Sequence, residues 1–379
     1  MLRSFVAAAE NARRFGLELP EGYEERLARA CNFALHCHRP DGPISALSDS
    51  DSVRYGELLD LAGALLGRAD LEWVANRGDR GEPPLPDASF PDGGYFTQRS
   101  GWGEGRTAFE DERYLIFDCG PLGEGGHGHY DLLSVEIVAG GRPLLVDPGR
   151  FTYSEEPPNM RHWFKGTAAH NTVCVDGLDQ TPYRRGKPRG PVAKGRFLGR
   201  ACAPGLDLLR GRAYSPRYDA VHTRTVAFIA REYWLLEDRL EGAERHRYDL
   251  RFHLAPEADG QTFVEPGASG TVVRAPGLAL VLDPALGVDV EPGWVAPAYG
   301  ERLAAPVISA SLEAGEARLV TLVCPHELGV PAPRLHHRAA DAGMTAVEVR
   351  RFAPGGETTD LIEWGDGAEP GAFRRVAGA

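Results

Sequence analysis

Apolar residues in the first part of the chain recur at helical spacing. Every fourth residue from Tyr23 to Leu35 is apolar and charged residues occupy the opposite face, which predicts an amphipathic helix. A second apolar stripe over residues 53–66 predicts another helix, and the polar run at 48–52 before it offers N-cap residues. Two or three helices bury little surface alone, so we expect this helical segment, residues 1–77, to pack on the rest of the chain.

The pattern changes after a stretch rich in Gly, Pro, Asp and Arg at residues 78–92, which predicts a linker. In residues 248–254 apolar and polar side chains alternate strictly, as in a strand with one buried face. Gly140-Gly141 separates two apolar runs, as in a hairpin. Further strands are predicted at 114–118, 172–175, 221–229, 233–237, 271–274, 278–282 and 319–324.

Many short strands with Gly and Pro turns, and hardly a helix between them, are typical of stacked antiparallel sheets. We therefore predict a mainly β fold. In it, the short α-helical segment is followed by a large antiparallel β-sandwich domain over residues 93–379.

Composition and charge narrow the function classes. The 379 residues include 42 basic and 54 acidic side chains, a net charge of −12, which disfavours a nucleic-acid partner. No run of about 18 uncharged apolar residues is present, so no membrane span is predicted. The six cysteines form no CxxC pair and are predicted to be free buried thiols. The first ten residues lack the apolar core of a signal peptide, so no export signal is expected.

The residues that are candidates for catalysis or metal binding lie between 117 and 177. His129, Asp147 and His170 are separated by 18 and 23 residues, which fits three neighbouring strand ends, and two imidazoles with one carboxylate suit Zn²⁺ or a similar divalent ion. The alternative is structural: Asp147-Pro148-Gly149 is also a turn signature, and most histidines are surface or core residues. From the residues alone both interpretations stay open.

Several motifs in this part of the chain, taken in their order, resemble the heparinase II/III-like polysaccharide lyases. The resemblance extends over residues 90–260, and its order makes it more specific than any one motif. The motifs are Tyr95-Phe96-x-x-Arg99-Ser100-Gly101-Trp102, Phe117-Asp118-x-Gly120-Pro121, Gly128-His129-x-Asp131, Leu144-Leu145-Val146-Asp147-Pro148-Gly149 and His170-Asn171-Thr172.

The resemblance implies an α/α toroid followed by a β-sandwich, with residues 1–77 as the end of the toroid. It implies that His127 is catalytic and that His129, Asp147 and His170 bind a divalent metal, usually zinc. The implied reaction is β-elimination at a uronic acid of an acidic polysaccharide. Proton transfer at carbon needs a group such as histidine, which changes charge near neutral pH, and donors that offset the developing negative charge.

The chain departs from the family pattern at the toroid, which in family lyases carries a catalytic Tyr and an Asn or His. The 75 or so residues before the linker are too few for a full toroid, so no positions match these partners. Tyr153 is the candidate substitute beside His127. The residues predicted to contact substrate carboxylates or sulfates are Arg150, Arg161 and Lys165.

Three function classes follow. The first is a polysaccharide lyase, in shortened or partner-dependent form, and family members of this kind typically act in the periplasm or cell envelope. The second is a non-catalytic, metal-stabilised carbohydrate-binding or structural module. The third, a cupin-like metal hydrolase or oxygenase, fits least because the Glu that usually follows a His-x-His pair is missing. A homo-oligomer and a toroid-bearing partner chain are both left open.

Overall fold

The computed structural model describes residues 1–123, 125–267, 269–353, 356–367 and 369–377. Four helices form the first part of the chain, and a fifth short helix follows a five-stranded sheet. The helix predicted around Tyr23–Leu35 is confirmed. The helices are α1 (Leu2–Phe15), α2 (Tyr23–His36), α3 (Gly56–Leu66), α4 (Ala69–Ala75) and α5 (Met160–Lys165).

The first sheet has five antiparallel strands in sequential order, a meander in which each strand pairs with the next. The hairpin predicted at Gly140-Gly141 is confirmed as its last pair. Its first strand lies inside the stretch predicted as a linker, and the predicted domain boundaries themselves stay a prediction. The strands are β1 (Ser89–Phe90), β2 (Tyr95–Arg99), β3 (Tyr114–Asp118), β4 (Val135–Ala139) and β5 (Arg142–Leu145).

The second sheet has ten antiparallel strands, and the third has four. The ten strands are β6 (Val173–Val175), β7 (Lys194–Ala203), β8 (Leu206–Tyr214), β9 (Val221–Ile229), β10 (Tyr233–His253), β11 (Phe263–Gly267), β12 (Gly270–Ala275), β13 (Leu278–Leu282), β14 (Gly287–Val295) and β15 (Leu303–Pro325). They run in the order β11-β12-β13-β15-β10-β9-β8-β7, with β14 beside β15 and β6 beside β10. The four-stranded sheet comprises β16 (Arg334–His337), β17 (Met344–Ala353), β18 (Gly356–Gly365) and β19 (Ala372–Ala377).

The ten-stranded sheet is the central layer of the β domain because its strands bury both faces. On β10, Trp234 and Leu236 join the core shared with the five-stranded sheet, whereas Tyr233 and Leu235 join the core shared with the four-stranded sheet. Side chains that alternate along a strand point to opposite faces, so this nearly continuous apolar run serves two cores. The antiparallel sandwich predicted from the sequence is therefore confirmed.

Helices α1 to α4 pack beyond the outer face of the five-stranded sheet. Their apolar residues enclose Trp102 and Phe109, which come from the loop between β2 and β3. Where α2 ends, Cys37 contacts the outward-facing Tyr114 of β3. The expectation that the helical segment packs on the rest of the chain is confirmed, and this packing carries the α2–α3 connection to one end of the sandwich.

Two local predictions were wrong. Helix α3 begins at Gly56 rather than at Val53, and its N-terminus has no side-chain cap, so the Ser and Asp residues at 48–52 do not act as N-caps. The strands predicted at 233–237 and 248–254 are one strand, β10, which passes through a polar stretch with a bulge between Glu241 and His246. Strand pairing rests on backbone hydrogen bonds, which do not require apolar side chains.

The six cysteines were predicted to be free and buried, and this is confirmed for five of them. None of the six is in a disulfide, but Cys202 is exposed, so the prediction of burial was wrong at that residue. Among the described residues, no helix is both long and apolar enough to span a membrane.

Candidate functional site

The three residues predicted to bind a metal lie together in the interior. One potential ligand atom from each of His129, Asp147 and His170 lies within 4.8 Å of the others, and all three side chains are buried. The rings of the two histidines are 5.2 Å apart. His129 Nδ1 and His170 Nε2 are buried without a hydrogen-bond partner. Buried ring nitrogens usually have a partner, and a metal ion would supply one here. The donor set therefore fits a divalent cation such as zinc.

These three residues lie on separate segments of the chain, which meet at one end of the five-stranded sheet. His129 lies between β3 and β4, Asp147 directly follows β5, and His170 precedes β6. The amide of Asn171 donates to the carbonyls of Val135 and Val146, at 2.8 and 2.9 Å, and so ties the segment of His170 to β4 and β5.

The Asp147 carboxylate closes the predicted turn and also faces a histidine of the set. Its Oδ1 accepts the Gly149 backbone N–H at 2.9 Å, which is the turn role, and its Oδ2 lies 3.1 Å from His170 Nδ1. Gly149 has φ 73°, and a Cβ there would lie 2.6 Å from the carbonyl oxygen of Ala296, so the turn needs glycine. The turn thus orients the carboxylate toward the histidine.

Buried carboxylates surround this set. Burial and the nearby Asp131 and Asp147 charges raise the pKa of Asp118 well above its usual value, and Asp131 Oδ2 has no hydrogen-bond partner. Burial lowers the pKa of His129, which favours the neutral, metal-binding form of its ring. Burial also opposes the charged form of His170, but the Asp147 carboxylate outweighs it and raises the pKa. A bound cation would offset the repulsion that Asp131 and Asp147 exert on Asp118.

The residue that sequence reasoning missed is Asp49, in the connection between α2 and α3. Its carboxylate accepts from both guanidinium Nη atoms of Arg161 and lies 2.8 Å from His127 Nδ1 and 3.1 Å from His129 Nε2. Burial would raise its pKa, but the hydrogen bonds from His129 and Arg161 outweigh burial and lower it. The only available signal was the Ser-Asp run at 48–52, which looks the same as a helix N-cap.

We expect Asp49→Ala to lower the free energy of unfolding by about 2–3 kcal/mol, because it leaves the buried Arg161 without its carboxylate. The matched control is Asp51→Ala, which breaks a more exposed bidentate pair with Arg150 and should cost about 1 kcal/mol or less. Chemical denaturation of the three proteins measures both values. Equal losses in the two variants would show that Asp49 is an ordinary surface ion pair.

The two predicted catalytic residues lie next to each other at the surface above the buried set. The His127 side chain is 80% exposed, and its ring centroid is 6.1 Å from that of Tyr153. Arg150 Nη1 donates to the Tyr153 hydroxyl at 2.8 Å while its other nitrogens hold Asp51 at 3.0 and 2.8 Å. The structure therefore brings His127, Tyr153 and Arg150 to one surface.

Arg161 and Lys165 lie beneath that surface on α5, which begins after Asn159, whose side chain accepts the His162 N–H. Both side chains are buried. Lys165 Nζ donates to the Gly125 carbonyl at 2.6 Å, and burial together with the Arg161 charge lowers its pKa to about 8. These cations hold Asp49 and the glycine turn before His127. Their contact with a substrate stays a prediction.

An exposed tyrosine extends the surface. The ring of Tyr299 lies 5.7 Å from that of Tyr153, and the Arg150 guanidinium is 5.3 Å from each ring. The row formed by His127, Tyr153 and Tyr299 offers aromatic faces with polar groups between them. Such a surface suits the apolar face and hydroxyls of a sugar.

Comparison with known proteins identifies the fold. Residues 82–322 match the family described as heparinase II/III-like, C-terminal. No curated protein sequence is significantly similar to the chain. Similar solved structures include a heparinase III gene product, with TM-score 0.75 and 20% identity over 96% of this chain and 56% of that one.

Two further structures have the same fold. A mutant of heparan sulfate lyase HepC from Pedobacter heparinus has TM-score 0.78 and 20% identity, over 98% of this chain and 56% of that protein. The structure of heparinase III has TM-score 0.78 and 17% identity, over 96% of this chain and 58% of that protein. The chain therefore spans little more than half the length of these proteins.

Proposed function

The chain belongs to the heparinase II/III-like family, and from this premise we propose that it cleaves a uronate-containing acidic polysaccharide by β-elimination. The observation that carries the proposal is the exposed imidazole of His127, oriented by the buried Asp49 carboxylate beside the Tyr153 hydroxyl. The other histidines of the site and the Asp49 carboxylate are buried, whereas His127 and Tyr153 are exposed and can be reached by a polymer.

The reaction needs two proton transfers. A base removes the proton on C5 of the uronate, the electron pair forms the C4–C5 double bond, and the 4-linked oxygen leaves with a proton from an acid. His127 Nδ1–H donates a hydrogen bond to the Asp49 carboxylate in this mechanism, so the lone pair of Nε2 is free to act as the base. Tyr153, whose oxygen accepts from Arg150, is then the acid for the leaving oxygen. Arg150 is also the nearest cation for the uronate carboxylate.

We further propose that His129, Asp147 and His170 hold a divalent ion, most simply zinc. A bound ion would offset the charge of the buried carboxylates and tie together the three segments that support the surface. The unpartnered nitrogens of His129 and His170 support this assignment. Because these residues are buried while His127 is exposed, the ion's expected role is to shape the site.

The proposal is tested by incubating the protein with a panel of acidic polysaccharides and following the absorbance of unsaturated uronate. Heparan sulfate, hyaluronan and alginate together vary the sulfation and the uronic acid. Formation of unsaturated ends from at least one polymer supports the lyase. Binding of a polymer without any unsaturated product would contradict it and favour the carbohydrate-binding module, which the exposed Tyr153 and Tyr299 also fit.

A further inference from the structure

A second charged feature borders the site. The basic loop, residues 183–190, carries four exposed cations and no acidic residue. The protein as a whole has a net charge of −12, so this concentration is unusual for the chain. The four cations are Arg184, Arg185, Lys187 and Arg189.

The basic loop is held between the two segments that carry His127 and Tyr153. On one side it packs against the glycine turn: a Cβ on Gly125 would lie 2.5 Å from Pro188 Cδ. On the other side the Tyr183 hydroxyl donates to Glu155 Oε1 at 2.6 Å, and its ring stacks on His162 at 3.9 Å between centroids. These contacts place the cations beside the proposed catalytic surface.

Two of the four cations, Arg184 and Arg189, have no carboxylate partner among the described residues. Arg185 pairs with Glu155 and Glu156 at 3.5 and 3.3 Å. Among the described residues, Arg184 has only a 3.2 Å hydrogen bond to the Tyr183 carbonyl, and Arg189 has no carboxylate partner. Exposed guanidinium groups without carboxylates can bind sulfates or carboxylates in paired hydrogen bonds.

We propose that the basic loop binds the anionic groups of sugar units next to the one that is cleaved. This inference rests on the proposed function and adds to it the residues of a neighbouring subsite, Arg184 and Arg189, for the negative groups near the scissile linkage. A polysaccharide is favoured over a nucleic acid because the loop packs against the segments that carry His127 and Tyr153, the residues proposed to act on a sugar. The loop is proposed to recognise negative charge, which sulfate and carboxylate groups share. Polymers with and without sulfate distinguish between these two groups.

The test measures binding of heparan sulfate, hyaluronan and single-stranded DNA as a function of salt. All proteins carry His127→Ala so that the polymer stays intact. The test variant adds Arg184→Gln and Arg189→Gln. The matched control adds Arg334→Gln and Arg374→Gln, which remove the same charge from the exposed surface of the four-stranded sheet.

We expect the test variant to bind polysaccharide about three- to tenfold more weakly at low salt, with a salt slope smaller by about one to two. The control should bind as the parent does. A larger loss with heparan sulfate than with hyaluronan assigns the loop to sulfate, and an equal loss assigns it to carboxylate. Equal weakening in test and control, no binding of either polysaccharide, or tighter binding of DNA would overturn the proposal.

The outcome is distinguishable from that of the proposed function. If binding depends on the loop but no unsaturated product forms, the role of the basic loop in binding stands and the proposed lyase activity is wrong. The Arg184 and Arg189 substitutions can also be made in otherwise native protein. If turnover and binding are then both unchanged, the proposed lyase activity stands and the proposed role of the basic loop is wrong.

Discussion

His127→Ala is expected to lower lyase turnover by about two to four orders of magnitude, which is the typical contribution of a positioned proton-transfer group. Its melting temperature should stay close to that of the parent. The side chain is largely exposed, and surface substitutions of this kind usually change stability little. Turnover is measured from unsaturated uronate on the best polymer, and stability from thermal unfolding of the same preparations.

The chain offers a close control for this variant. His337 of β16 is 45% exposed, and its Nε2 lies 3.1 Å from a largely buried carboxylate, Asp283, much as His127 meets Asp49. His337→Ala should retain full turnover. If His127→Ala kept its activity, or lost metal while His129→Ala did not, the assignment of His127 to the surface reaction would be wrong.

His170→Ala and Asp147→Ala are expected to lose the bound metal and about 3–5 kcal/mol of stability. The parent should contain about one equivalent of zinc or a similar divalent ion by elemental analysis. Each substitution removes one donor and leaves the other buried without its partner, because His170 and Asp147 hydrogen-bond to each other in the interior. Chelation of the parent should lower its melting temperature in the same direction.

His253→Ala separates loss of the metal from loss of packing. His253 is as deeply buried as His170 but bonds to the Ala168 carbonyl at 3.0 Å and is not part of the ligand set. This variant should be destabilised and still contain the metal. Stoichiometric metal in a protein with His129, Asp147 and His170 all replaced by Ala would contradict the site.

The cores of the sandwich could be predicted because the amino-acid pattern acts locally. Tyr114–Asp118, Val221–Ile229 and Leu278–Leu282 are strands with the predicted bounds, since runs of apolar and β-branched residues between turns favour extended backbone. The full length of β10 and β15 could not be predicted in this way. Their polar central parts remain extended only because each strand is the partner of the other.

The cluster of His129, Asp147 and His170 was predictable for a different reason. His129, Asp147 and His170 each follow a recognisable turn or strand signal, so their order along the chain suggested three strand ends that meet. The structure brings them within 4.8 Å of one another. The motifs also placed His127 near this set, and Tyr153 was suggested by its position just after Asp147-Pro148-Gly149; the centroids of the two rings are 6.1 Å apart.

The sequence by itself determined the strands of the antiparallel sandwich, because each follows from a pattern within a single segment, and it named His129, Asp147 and His170 as candidates. Only the tertiary structure brought these three side chains together and decided what surrounds them. Asp49 contacts residues 78 and 112 positions away, and a Ser-Asp run has no local feature that distinguishes such a contact from a helix cap. Likewise, only the packing of α5 buries Arg161, and only the contacts of Tyr183 and Pro188 hold the basic loop against the segments of His127 and Tyr153, because the electrostatic partner of a charge is set by distance in space.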